Sequence, residues 1–502
     1  MSQFNRHLFA KQALLTLVLV LIPSLARGAT DSPPNVLLII TDEHNFRTLG
    51  CYRERMPREQ AEMWGPDVVV PTPHLDRIAK EGVICTRAYA TSPVCSPCRA
   101  AMITGRYPHN TGVPQNDLVL DRSIPTLADR LNDAGYRTGF FGKWHLGGKG
   151  KPEWEPKVDG GFQFKKYMFN RGHWKKLVIE NGKALVGARK NGEPSYSVDG
   201  ADQTTFATDW LTDRAIDYVT DKTQHDPFLA VISYPDPHGP NSVRAPYDHR
   251  FDDLRFAAPR TFQTGIPSPK WLGGKGKHEI FRGKDMSKYF GMVQCIDDNV
   301  GKLLERMDEA NLLENTLVIM TSDHGDLCYE HDRLNKGNPY EGSARVPMLI
   351  RFPRRIAAGK VYTQPVGTVD LTPTVMGLLG RDGNAADQGR DLSAELAGNS
   401  NSPIDPANPP ITFLRSSGIK TNWVAAIDDR YKLVLSTSDV PWLFDAKLDP
   451  DELLNFFRRP GTEGVAERLG KALQEYGTKT NDPAFVDPTI AASLKQVLGA
   501  KK

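Results

Sequence analysis

The sequence is poor in cysteine, in net charge and in long apolar runs, and each shortage removes a class of protein from consideration. Six cysteines (Cys51, Cys85, Cys95, Cys98, Cys295, Cys328) are scattered through 502 residues without a framework spacing. A chain of this length buries enough core to fold without them, so no disulfide scaffold is implied, although one pair could form in an oxidising compartment. Lys and Arg number 63 against 60 Asp and Glu, a net charge of +3. That balance gives no ground for nucleic-acid or membrane-surface binding. Internal repeats and low-complexity tracts are also missing. The one notable apolar run, Ala13 to Ile22, follows Arg6, His7 and Lys11 and precedes Pro23, Ala26 and Gly28. It is too short to span a bilayer as a mature helix. Its order is that of a secretory signal peptide over residues 1–28, cleaved near Gly28 or Ala29, which predicts export to a periplasm or the medium and no membrane tie afterwards.

What remains is ordinary globular composition, 39% hydrophobic and 25% charged, with room for one large and one small domain. Asn35 to Ile40 is a continuous apolar run, the mark of a strand buried on both faces of a mainly parallel sheet. Arg137 to Phe141, Phe228 to Ser233 and Leu317 to Met320 read as further strands. Helices are predicted over Thr72 to Lys80 with Pro73 at the first position, over Ser123 to Ala134 opened by Pro125, and over Tyr289 to Ala310. The alternation predicts an α/β fold: a large domain over 30–397 with a mainly parallel mixed sheet sandwiched by helices. Residues 398–410, rich in Asn, Ser and Pro, read as a linker. Residues 411–502 read as a small subdomain: short strands at Ile411 to Leu414, Asn422 to Ile427, Tyr431 to Leu435 and Trp442 to Phe444 form an antiparallel sheet. Helices at Pro450 to Phe457 and Val465 to Tyr476 pack on it.

In parallel sheets ligands bind beyond the carboxyl ends of the strands. Four polar clusters stand at that point, each just after a predicted strand: Asp42 and Glu43, Lys143 and His145, Asp236 and His238, and Asp323 and His324. Carboxylate oxygens dominate the first and last, which suits a hard cation, Ca²⁺ or Mg²⁺, over zinc. Lys143 and His145 lie two apart, so an extended segment sends both to one face. Cys95 to Arg106 holds a C-x-P-x-R core followed by Thr104, Gly105 and Arg106. Pro97 suits the first turn of a helix, which leaves Cys95 and Ser96 at its positive end, and Arg99 adds a cationic fork for a tetrahedral oxyanion. Alone, Cys95 could be an ordinary buried thiol.

With its extension through Tyr107, Pro108, His109, Asn110, Thr111 and Gly112, that stretch resembles the signature of the type I sulfatases of the alkaline phosphatase superfamily. In that family the motif cysteine is converted to formylglycine by a maturation enzyme. The resemblance runs from Asn35 to about Asn455. It implies an arylsulfatase-like hydrolase that removes sulfate from an organic sulfate ester, a sulfated carbohydrate first of all. It also implies one divalent cation, Ca²⁺ ahead of Mg²⁺, held by Asp42, Glu43, residue 95, Asp323 and His324. Glu43 departs from the family's usual Asp-Asp pair, and His324 stands where many relatives have Asn. By the same resemblance Lys143 holds the formylglycine hydroxyl and a sulfate oxygen, and His145 takes the formylglycine proton. His238 and Lys336 then match the second histidine and lysine on the leaving-group side, while Arg99 and the two lysines neutralise the sulfuryl oxygens. The rivals are a phosphonate or phosphate ester hydrolase of the same superfamily and a non-catalytic binder of sulfated glycans. The basic and aromatic stretch Lys165 to Lys176 reads as a solvated loop with buried aromatic anchors rather than a wall for a sulfated sugar. His44, His74, His109, His173 and His331 carry no catalytic weight, though His331 and Asp332 could line a substrate pocket.

Overall fold

The computed structural model describes residues 32–272, 280–399, 405 and 408–499. The signal peptide expected over 1–28 lies outside them, as does most of the linker expected over 398–410. No helix among the described residues is long and apolar enough to cross a membrane.

The principal sheet has eight strands: β1 (Asn35–Asp42), β2 (Val83–Cys85), β3 (Arg137–Lys143), β4 (Phe164–Phe169), β5 (Phe228–Pro237), β6 (Thr316–Ser322), β7 (Met348–Arg351) and β8 (Lys360–Tyr362). Their order across the sheet is β8-β2-β7-β6-β1-β5-β3-β4. Only β7 runs against the rest, pairing antiparallel with both β6 and β2. Along β1 the side chains alternate: Val36, Leu38 and Ile40 enter one apolar cluster, Leu37 and Ile39 the other. Helix α1 (Pro73–Lys80) starts at the proline the sequence marks. On the first face lies α2 (Cys95–Thr104); on the second lie α1, α3 (Ala207–Val219) and α4 (Gly283–Glu309). A strand buried on both faces can be apolar throughout, which is why the runs were readable.

A second sheet is antiparallel: β9 (Thr412–Arg415), β10 (Trp423–Ile427), β11 (Tyr431–Ser436) and β12 (Trp442–Asp445), in chain order. One of its faces packs on α5 (Glu463–Thr480) and α6 (Pro488–Leu498), together with Ala101 and Tyr107. The other packs on Tyr89, Leu327 and Tyr340. Both apolar clusters therefore mix residues from either side of the expected linker.

Three local expectations differ from what forms. Ser123 to Ala134 contains only a six-residue helix, Leu127–Asn132, because Thr126 caps it in a box with Asp129 and leaves Pro125 outside. No helix forms over Pro450 to Phe457: Asp449 binds Leu454 N–H at 2.6 Å and Glu452 takes a φ of 52°, which makes turns instead. The strand Phe164–Phe169 is absent from the expected set, since Lys165 and Lys166 interrupt its apolar pattern.

Candidate active site

The carboxyl ends of β1, β3, β5 and β6 meet the first turn of α2. Thr41 pairs with Ser322 in the β1–β6 register, so Asp42 and Asp323 arrive side by side. Glu43 follows at a φ of 67°, which turns its carboxylate away from that of Asp42. On β3, Gly142 sits at φ 105°, where a Cβ would lie 2.0 Å from Ser233 O. Only glycine permits that approach, and it delivers Lys143 beneath Asp42.

Cys95 is 2% exposed at the start of α2. Its Sγ lies 3.2 Å from His324 Nε2 and 3.7 Å from Asp42 Oδ1. One turn on, Arg99 donates from Nε to Asp323 Oδ2 at 2.8 Å, from Nη2 to Asp42 Oδ2 at 3.3 Å, and from Nη1 to Lys143 O at 2.7 Å and Ser233 Oγ at 2.6 Å. The guanidinium therefore fixes both aspartates as well as lending charge. One ligand atom each from Asp42, Cys95, Asp323 and His324 lies within 4.8 Å of all the others, and all four residues are buried. Two carboxylates, an imidazole and a thiol could hold a divalent cation, the carboxylates offering the oxygen donors that a hard ion takes. Glu43, expected among them, falls outside this group. Its Oε1 lies 3.1 Å from Lys336 Nζ and its Oε2 3.1 Å from His238 Nε2.

The remaining expected residues form a ring around this centre. Lys143 Nζ donates to Asp42 Oδ2, and to His173 Nε2 at 2.8 Å. His238 Nδ1 donates to Gly239 O at 2.8 Å, leaving Nε2 to accept from Lys336 Nζ at 2.6 Å. His145 takes a φ of 62° and is buried, with both ring nitrogens unbonded; Asp117 Oδ1 stands 3.5 Å from Nε2.

Burial and charge set the protonation states. Burial alone would raise Asp42, but Lys143, His238 and Arg99 hold it well below the usual carboxylate range. Burial pushes Glu43 up to about 8 against the pull of Lys336. The Cys95 thiol is raised by burial and by Asp42, which makes the unmodified cysteine a poor nucleophile. His145 is driven well below 6.5 by burial, then by Lys143 and Arg99. His238 is lowered by burial and Lys336. Lys336 rises in spite of burial because Cys95, Glu43 and Asp42 surround it, so the proton shared with His238 resides on the lysine.

Sequence reasoning missed two groups. His173, dismissed as a catalyst, stacks on His238 with ring centroids 3.5 Å apart and planes 8° from parallel. Asp117 pairs with Arg171 at 3.1 Å beside His145. Recognising β4 would have exposed the first, because His173 lies just past its carboxyl end like the other clusters. Conversely, His331 is committed to a stack on Tyr340 at 3.7 Å, and Asp332 binds Gln263 N–H at 2.5 Å. All six cysteines are free and buried.

Known proteins resemble the chain over most of its length. A family model described as Sulfatase matches residues 34–381, and one described as N-sulphoglucosamine sulphohydrolase, C-terminal, matches residues 329–479. The chain is 30% identical to an ulvan-active sulfatase of Formosa agariphila over 88% of this chain and 82% of that one. It is 26% identical to an N-acetylglucosamine-6-O-sulfatase of Bacteroides thetaiotaomicron, covering 90% and 88%. Among solved structures, a protein bound to its substrate D-glucosamine-2-N,6-O-disulfate superposes with a TM-score of 0.72 at 22% identity, covering 90% of this chain and 99% of that one. A phosphonate monoester hydrolase of Agrobacterium radiobacter shares the fold with a TM-score of 0.67 at 24% identity, covering 91% and 97%.

Proposed function

The chain belongs to the sulfatase family of sulfate-ester hydrolases, and from that premise we propose that it desulfates a sulfated carbohydrate outside the cytoplasm. Residue 95 acts as formylglycine, and one divalent cation, Ca²⁺ ahead of Mg²⁺, is held by Asp42, Asp323, His324 and residue 95. The carrying observation is the convergence of a buried cysteine with two carboxylates and an imidazole inside 4.8 Å. The ulvan-active and N-acetylglucosamine-6-O-sulfatase relatives support a saccharide substrate, and the N-terminal run supports export. When bound, the cation supplies positive charge against the sulfuryl oxygens. The hydrated aldehyde supplies one hydroxyl as nucleophile and a second whose deprotonation releases sulfate, an exit that a thiol lacks.

The protein's own residues do the rest. Lys143 and Lys336 offer N–H donors to a tetrahedral anion. Arg99 keeps Asp42 and Asp323 in register, so its contribution is mainly preorganisation. In this reading His145, neutral and with both ring nitrogens unbonded, accepts the residue-95 proton. A departing alkoxide has too high a pKa for unaided loss, and the Lys336–His238 pair delivers its proton with Lys336 as the reservoir. Glu43 stands 3.1 Å from each member of that pair, with neither carboxylate oxygen hydrogen-bonded.

The test is production of the full chain in a host with the maturation machinery, mass analysis of the peptide holding residue 95, and turnover of an aryl sulfate beside an aryl phosphonate. Formylglycine with higher kcat/KM on the sulfate is expected. Full sulfate release by protein with an unmodified thiol would overturn the mechanism, and preference for the phosphonate would overturn the substrate class.

A further inference from the structure

The loop following β4 carries rings and cations that the sulfuryl chemistry leaves unused. Building on the saccharide desulfation proposed above, we propose that Arg171, Lys151 and Tyr196 form a subsite for a second acidic group on the saccharide bearing the scissile sulfate. The substrate class is thereby narrowed to saccharides with at least two acidic groups, the second being a sulfate or a carboxylate.

The wall begins inside the reaction centre. His173 lies on His238 and meets Tyr196 at a centroid distance of 5.8 Å; Tyr196 in turn packs on Trp174 at 4.7 Å. Lys151 Nζ sits 4.6 Å from the centroid of Tyr196 and 5.5 Å from that of Trp174. Lys151 is exposed, and among the described residues no carboxylate forms an ion pair with it. On the inner side Arg171 pairs with Asp117 Oδ1, the same oxygen that faces His145, and its side chain remains 35% exposed. The wall is preset by the backbone. Gly172 adopts φ 122°, and a Cβ there would fall 2.4 Å from Trp174 Cε2, so only glycine lets the indole fold beneath this turn.

One accessible cation, Lys151, therefore lies over the Tyr196 and Trp174 rings, and a second, Arg171, stands on Asp117 beside His145. The rings pre-orient the ammonium and offer a flat apolar face to a sugar ring. The planar guanidinium suits a carboxylate or sulfate. Solvation alone would not order Lys151 over rings that lead back to His238.

The test compares the wild type with Arg171→Ala, Lys151→Ala and the double variant on matched pairs: glucosamine 6-O-sulfate against D-glucosamine-2-N,6-O-disulfate, and a sulfated disaccharide with and without a uronic acid. The readout is the ratio of kcat/KM, doubly over singly acidic, with an aryl sulfate reporting desulfation as such. Each single variant should lower the ratio about tenfold, mainly through KM, and the pair that responds identifies the second acid. Arg171→Lys should restore part of it. An unchanged ratio in the double variant overturns the subsite, and an equal loss on both members of a pair assigns Arg171 to holding His145 through Asp117 instead. Calorimetric binding of the same pairs to the Cys95→Ala protein gives the same comparison without turnover. Loss of the preference in the double variant supports the subsite even if the aryl sulfate is not cleaved; a preference retained in the double variant overturns it.

Discussion

His173 and His238 lie face to face, 3.5 Å between ring centroids, and each accepts from a different lysine: His173 from Lys143 at 2.8 Å, His238 from Lys336 at 2.6 Å. The stack thus couples the two cationic arms of the site. Replacing His173 with Ala removes a charge-assisted hydrogen bond, worth about 1.5–3 kcal/mol, and half the stack. A drop of about tenfold or more in kcat is expected, with the circular dichroism spectrum and the ion content preserved. His173→Gln, which keeps an acceptor for Lys143, should recover part of the loss. Steady-state kinetics on one sulfate ester checks both.

Glu43 separates from the cation donors by its left-handed φ of 67° and its two 3.1 Å contacts to Lys336 and His238. Glu43→Gln should keep one equivalent of bound ion, measured by elemental analysis, while kcat falls. Asp42→Asn should lose the ion as well as activity, because it weakens a donor and breaks the Lys143 and Arg99 contacts together. Equal ion loss in both variants would return Glu43 to the donor set. Chelation of the wild type should abolish turnover, and added Ca²⁺ should restore it.

Much of this was legible in the sequence, for reasons tied to particular segments. Fully apolar strands such as Asn35–Asp42 announce burial on both faces, and the polar residues after them can only sit at one edge of a parallel sheet. Cys95, Arg99 and Lys143 followed from those rules and from the motif. Residues supplied by less regular segments did not. Strand Phe164–Phe169 lies at the sheet edge and keeps exposed or half-exposed lysines at 165 and 166, so its pattern blurs and His173 loses its marker. Asp117 belongs to a turn with φ 68°, and nothing local in the sequence aims it at His145. The bend that removes Glu43 from its neighbour's side is equally silent, since acidic residues adopt left-handed conformations only in context.

His145 should shape the acid side of the pH profile. Burial, Lys143 and Arg99 lower its pKa well below 6.5, so the neutral, proton-accepting form persists as pH falls past the ordinary imidazole value. A bound dication would push in the same direction. The acid limb of kcat/KM attributable to this group is therefore expected below 6.5, with activity flat through neutrality. A limb at or above 6.5 that disappears in His145→Gln would contradict this placement.

Lys432 ties the second sheet to the catalytic body. Buried on β11, it donates to Pro339 O at 2.6 Å, Glu341 Oε1 at 2.8 Å and Glu452 Oε1 at 2.6 Å. Glu341 also bonds back through its N–H to Glu452 Oε2 at 2.7 Å. Lys432→Met fills the volume but strands Glu452 in the interior, while Glu341 keeps Arg345 at 3.3 Å, and breaking such a pair costs about 3–5 kcal/mol. Glu452, which burial already pushes up to about 7 with Lys432 opposing, should then rise further. A carboxyl whose folded pKa exceeds its unfolded one binds protons on folding, so it favours the native state below that folded value and loses the advantage as pH climbs through it. The variant should accordingly melt earlier than wild type at neutral pH and recover part of the difference near pH 5. Denaturant melts at the two pH values measure this, and an equal deficit at both would show that lost packing, rather than stranded charge, dominates.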